Sequence, residues 1–224
     1  MGFRFLRRSP ADNLEHIQSL LLEMLAHDRH GFDLAISALF AGADPDIIGP
    51  ELRETDEKVN AGEKAIRREL IVHASVHGTY HVPAILVYMS VVKDVERVGD
   101  YAKNIWDIAS QRRDLAGEPE AEEIREIAAR LSEMISETGR AFAADDVDAA
   151  RRLLAEGDQL QDDFDERVNA LITATIPSHN DAVYAVLFRF FKRVVSHLMN
   201  VLSAVTMPVD QLDYFDEPKQ PPND

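Results

Sequence analysis

Apolar residues recur at intervals of three and four along most of the chain, the spacing that places them on one face of a helix. In the first such segment Leu14, Ile17, Leu21, Met24, Phe32 and Leu39 form a stripe, with Asp28 standing in the same series, and Gly42 to Pro45 ends it. A second helix is expected from near Asp46, read as its cap, through Pro50 in its first turns to about His73 or His77. Gly78 and Pro83 then mark a loop. The third helix, about 83 to 112, carries Ala84, Tyr88, Val91, Val95, Val98, Ala102, Ile105 and Ala109 on one side. Gly117 and Pro119 break the pattern. Three more helices follow, over about 121 to 144, 147 to 175 and 180 to 205, giving an all-α chain of six helices.

The two halves repeat one plan. A shift of 102 residues places Phe40 on Phe142, Asp44 on Asp146, Asp46 on Asp148 and Asp56 on Asp158. A shift of 96 places Tyr88 on Tyr184, Arg97 on Arg193, Val98 on Val194 and Asn104 on Asn200, because the loop at IPSHN is shorter than the one at SVHGTYHVP. The pattern predicts a tandem pseudo-repeat of two three-helix bundles, residues 1–116 and 117–208, followed by an acidic, proline-containing tail at 209–224 with a mobile end.

Composition narrows the function classes. Across 224 residues, 40 acidic side chains against 24 basic ones give a net charge of −16, which repels a phosphate backbone and argues against nucleic acid as a partner. With no cysteine, a metal would be held by oxygen and imidazole alone. No uninterrupted apolar run of spanning length and no signal sequence stands out, so a cytoplasmic protein is expected. The start pairs Phe3, Phe5 and Leu6 with Arg4, Arg7 and Arg8, which a membrane surface or a transporter could meet. It is read as a frayed terminus.

The third helix carries the candidate chemistry. At 100° per residue from Val95, Tyr88, Val92, Gly99, Ala102 and Trp106 fall within about 60°, whereas Glu96 and Asp100 fall at about 100° and 140°. The two carboxylates therefore occupy a shoulder that a neighbouring helix can reach. Asp56, Asn60 and Glu63 share one face of the second helix. Two readings follow from spacing: exposed charges pairing along the helix with Lys93 and Arg97, or oxygen ligands for a divalent ion. Gly99, on the core side between the carboxylates, points to a close approach of some other group.

The stretch KDVERVGDYAKNI, Lys93 to Ile105, resembles the E(D)-x-x-x-D signature of the PhoU family of phosphate uptake regulators, whose members are tandem three-helix bundles. The resemblance implies a non-enzymatic, cytoplasmic regulator that restrains phosphate import and starvation signalling through contact with a phosphate transporter or a sensor-kinase component, with a homodimer in view. It also implies at most one surface metal site, for iron, zinc, manganese, nickel or magnesium, at Glu96, Asp100 and Asp56, with Asn60 and Glu63 beside them. The alternative is a metal-free helical scaffold that binds a protein through its acidic surface. The second half departs from the signature, because Lys192 stands at the place of Glu96 and Ser196 at that of Asp100. Asp158, Asp162 and Asp165 keep the spacing of Asp56, Asn60 and Glu63, so Lys192 is expected to act there as a charge partner in place of a metal.

Other patterns carry less. Glu23, His27 and His30 share a helix face, and His73, His77 and His81 recur every four residues, although Gly78 interrupts the second series. A di-iron oxidase needs Glu-x-x-His on paired helices, and no histidine here has a glutamate three positions before it. Gly-rich phosphate loops and the G-x-S-x-G elbow are missing from the sequence.

Overall fold

The computed structural model describes residues 12–111 and 115–213. The basic start and the end of the acidic tail lie outside these. The six expected helices form: α1 (Asp12–Phe40), α2 (Pro45–His77), α3 (Val82–Gln111), α4 (Ala121–Ala144), α5 (Val147–Thr173) and α6 (Asp181–Thr206). Among the described residues there is no strand.

Capping chemistry explains where α2 and α5 begin. Asp44, not Asp46, caps α2, its side chain accepting from the Asp46 backbone N–H at 2.9 Å, and Pro45 opens the helix, where a missing N–H costs nothing. Its repeat partner Asp146 does the same for α5, accepting from the Ala149 N–H at 3.0 Å. Gly78, at φ 61°, turns the chain into a short 3-10 segment, Gly78–His81, that leads directly into α3. The loop expected between Gly78 and Pro83 is therefore a compact helical turn.

One apolar core runs through both halves. Phe32 of α1 meets Phe191 of α6 with ring centroids 5.9 Å apart, and Tyr88 of α3 meets Phe142 of α4 edge-on at 5.8 Å. Each such aromatic removed from water contributes about 1.5–3 kcal/mol. α3 and α6 lie antiparallel: Asp94 accepts from His197 Nδ1 and Asn200 Nδ2, both at 2.9 Å, while Tyr101 packs on Phe190. The α2–α3 turn and the α5–α6 turn consequently sit at opposite ends of the molecule.

Candidate functional site

Along the groove between α2 and α3, acids and cations alternate. The Lys103 ammonium stands between Asp56 Oδ1 at 2.8 Å and Asp100 Oδ1 at 2.9 Å. Asn60 Nδ2 donates to the other oxygen of Asp56 at 3.0 Å. Further toward the α2–α3 turn, Lys93 Nζ donates to Glu96 Oε2 at 2.6 Å and lies 3.8 Å from Glu63, which Arg67 approaches at 2.9 Å. Arg97 flanks Asp100 at 3.5 Å. The side chains of Glu96 and Asp100 are only 12% and 29% exposed, so the shoulder expected from helical phase faces a neighbouring helix.

A residue from α1 completes the cluster. Asp28 is buried beneath this groove, and neither of its carboxyl oxygens has a hydrogen-bond partner. Its Oδ1 lies 2.6 Å from the point where a Cβ on Gly99 would stand. That is the close approach for which the glycine leaves room. Burial, reinforced by Glu96, Asp56 and Asp100, holds the Asp28 carboxyl well above the usual carboxylate range, so its neutral form is favoured. Burial works against the Lys103 ammonium, but hydrogen bonds and attraction from Asp56 and Asp100 outweigh it and raise its pKa.

The sequence-derived residues thus fall into two neighbouring groups: Asp56, Asn60 and Asp100 around Lys103, and Glu63 and Glu96 around Lys93. Asp28 and Lys103 were not among them. Asp28 stood in the apolar series of α1, where an ionisable side chain at a core position is itself the signal of a functional or paired group. Lys103 lies three residues past Asp100, a spacing at which a lysine reaches back to an acid.

The oxygen donors suit a hard divalent cation. The place between Asp56 and Asp100, however, is held by Lys103, and among the described residues no three carboxylate or imidazole side chains are grouped as a metal site requires. In the second half Lys192 Nζ donates to Asp165 at 2.7 Å and Arg189 lies at 2.9 Å from the same carboxylate, while Met199 stands where the repeat would place Lys103. Met199 packs so closely on Gly157 that its Sδ lies 2.7 Å from where a Cβ would be. A thioether, met by Gln161 Nε2 at 2.9 Å, thus stands there in place of the ammonium.

The histidines form a second cluster. His73 Nε2 and His81 Nδ1 are 2.6 Å apart, and the ring of His77 lies 4.4 Å from that of His73 and 5.4 Å from that of His81. The turn at Gly78 brings the third histidine back instead of separating it. His30 pairs instead with Glu51, at 2.8 Å.

Comparison with known proteins places these features. Residues 21–109 match the family model of the PhoU domain, a range that includes Asp28, Asp56, Glu96, Asp100 and Lys103. The crystal structure of PhoU from Pseudomonas aeruginosa superposes with a TM-score of 0.72 at 23% identity, covering 86% of this chain and 95% of that one. No curated protein matches at a significant level. Residues 21–109 are thus similar to the PhoU domain, and the chain has the PhoU helical fold.

Proposed function

We propose that this protein is a regulator of phosphate transport and phosphate-starvation signalling, acting at the cytoplasmic side by contact with a phosphate transporter or its sensor-kinase partner. The observation that carries the reading is the domain match over residues 21–109 together with a PhoU fold that extends over both halves. On this reading regulation is by binding, through the paired charges that the groove between α2 and α3 presents. The test is capture of the full chain from native membranes by cross-linking. A phosphate transport or phosphate-sensing component among the cross-linked species is expected, and its absence under both phosphate-rich and phosphate-poor growth would contradict the reading.

One observation favours the metal-free form of this reading. Lys103 neutralises Asp56 and Asp100 from within, as Lys192 does Asp165 in the other half. A divalent ion held by Asp56, Glu96 and Asp100, with Asn60 and Glu63 beside them, is the competing proposal, and it requires Lys103 to leave. Elemental analysis of protein purified without chelator or metal resin, beside the Glu96→Ala, Asp100→Ala double variant, separates the two. Near-stoichiometric metal in the wild type alone would establish the ion site.

A further inference from the structure

We propose that the α2–α3 hairpin tip, residues 64–93, is a membrane-docking element that seats its apolar side chains in the headgroup boundary of an anionic bilayer. Seven of the eleven large apolar side chains exposed on the described surface lie here: Ile71, Val72, Val76, Tyr80, Val82, Leu86 and Met89. Ile71, Val76 and Tyr80 are 68%, 70% and 73% exposed. Isolated exposed apolar residues are ordinary, but a group concentrated at one end of a molecule marks an interaction site. Between Pro45 and Gln111 an 18-residue window reaches a mean hydropathy of 1.3 and is only 28% buried. Folded back at Gly78, this segment is a hairpin, and its apolar residues flank the turn on both helices.

Charge selects the occupant. Residues 71–92 contain no Asp, Glu, Lys or Arg. Of the cations behind them, Arg67 and Lys93 are paired with Glu63 and Glu96, while Lys64 and Arg68 stand exposed on α2. An anionic surface repels so acidic a chain as a whole, whereas residues 71–92, with no acid among them, meet it without that repulsion. Apolar side chains at the apex with cations one to three helical turns behind them is the arrangement by which a helical element enters a lipid interface, the cations meeting the headgroups. The matching α5–α6 turn at the far end exposes Ile172, Ile176 and Val186 but places Asp181 at the start of α6. It lacks that polarity. Beneath the apex, the mutual packing of His73, His77 and His81 ties α2 to the turn.

The proposal goes beyond the regulatory reading and needs no transporter, so its test is run on bare vesicles. The full chain is mixed with phosphatidylglycerol-containing vesicles or with pure phosphatidylcholine vesicles and floated on a density gradient. Flotation with the anionic vesicles, weakened by salt, is expected. The Ile71→Ser, Val76→Ser, Tyr80→Ser variant should lose at least about tenfold in vesicle affinity with helicity unchanged by circular dichroism. Should that variant misfold, Lys64→Gln, Arg68→Gln must still lower binding to anionic vesicles. In addition, because the described chain has no cysteine, a Thr79→Cys variant bearing an environment-sensitive dye must shift to the blue on binding. No flotation of the wild type, binding indifferent to the tip variants, or a tip that instead mediates self-association would each overturn the proposal. So would binding to native membranes that protease treatment of those membranes abolishes while bare vesicles fail to bind.

Discussion

The Asp28 carboxyl lies against the backbone of Gly99, with Oδ1 2.6 Å from the position of an absent Cβ. A helix-interior glycine costs about 1 kcal/mol relative to alanine, yet here the alanine methyl would meet a buried carboxyl that has nowhere to go. Gly99→Ala is expected to destabilise the protein by about 1–3 kcal/mol in urea titration. In the Asp28→Ala background the same change should be neutral or stabilising. Independent, additive effects of the two substitutions would refute the contact.

Asp28 also gives stability a pH dependence. Its folded-state pKa is raised by burial and by Glu96, Asp56 and Asp100, so the folded state binds the proton more tightly than the unfolded chain does. Its contribution is therefore most favourable below the ordinary carboxyl range and is lost as pH rises toward the raised value. Asp28→Asn, which keeps the shape without the ionisation, should raise the melting temperature at pH 8 and give little gain near pH 4. An equal gain at both would show that the proton is not the cause.

Lys103 holds apart two carboxylates that would otherwise repel each other or recruit a cation. Lys103→Gln should increase affinity for Mn²⁺ by at least about tenfold in isothermal calorimetry, equivalent to about 1.4 kcal/mol. Lys192→Glu, which restores an acid beside Asp165, should raise uptake toward a further equivalent. Unaltered binding in Lys103→Gln would mean that the ammonium is not standing in a cation's place.

At the tip, burial and then repulsion from His77 and His81 lower the pKa of His73. The folded state prefers neutral His73, so its contribution is intact above the unfolded-state value of about 6.5 and is lost as pH falls below that. Amide exchange in residues 70–82 should accelerate between pH 7.5 and pH 5.5, after correction for intrinsic rates, relative to α5. His73→Leu should flatten that difference.

Most of the helical plan was readable because amphipathic helices of 24 to 33 residues write their period strongly into the chain. The caps were less so: Asp44 and Asp46 both suit the role, and only the direction of the Asp44 carboxyl decides between them. Gly78 was legible as a breaker, but a breaker does not reveal that the turn after it brings His81 onto His73. For the candidate site, periodicity placed Glu96 and Asp100 on a shoulder and Asp56 on a facing helix. Asp28 escaped because one period describes a core position whether its occupant is leucine or aspartate. Lys103 escaped because a lysine near acids is ordinary on any helix, and its place between carboxylates of two helices is a tertiary fact.

The regulatory reading is tested most directly by deleting the gene for this chain and measuring phosphate uptake together with a phosphate-starvation reporter under phosphate-rich growth. Raised uptake and a reporter switched on despite ample phosphate are expected, both reversed by the wild-type chain supplied in trans. Uptake and reporter output identical to the parent strain would contradict the account.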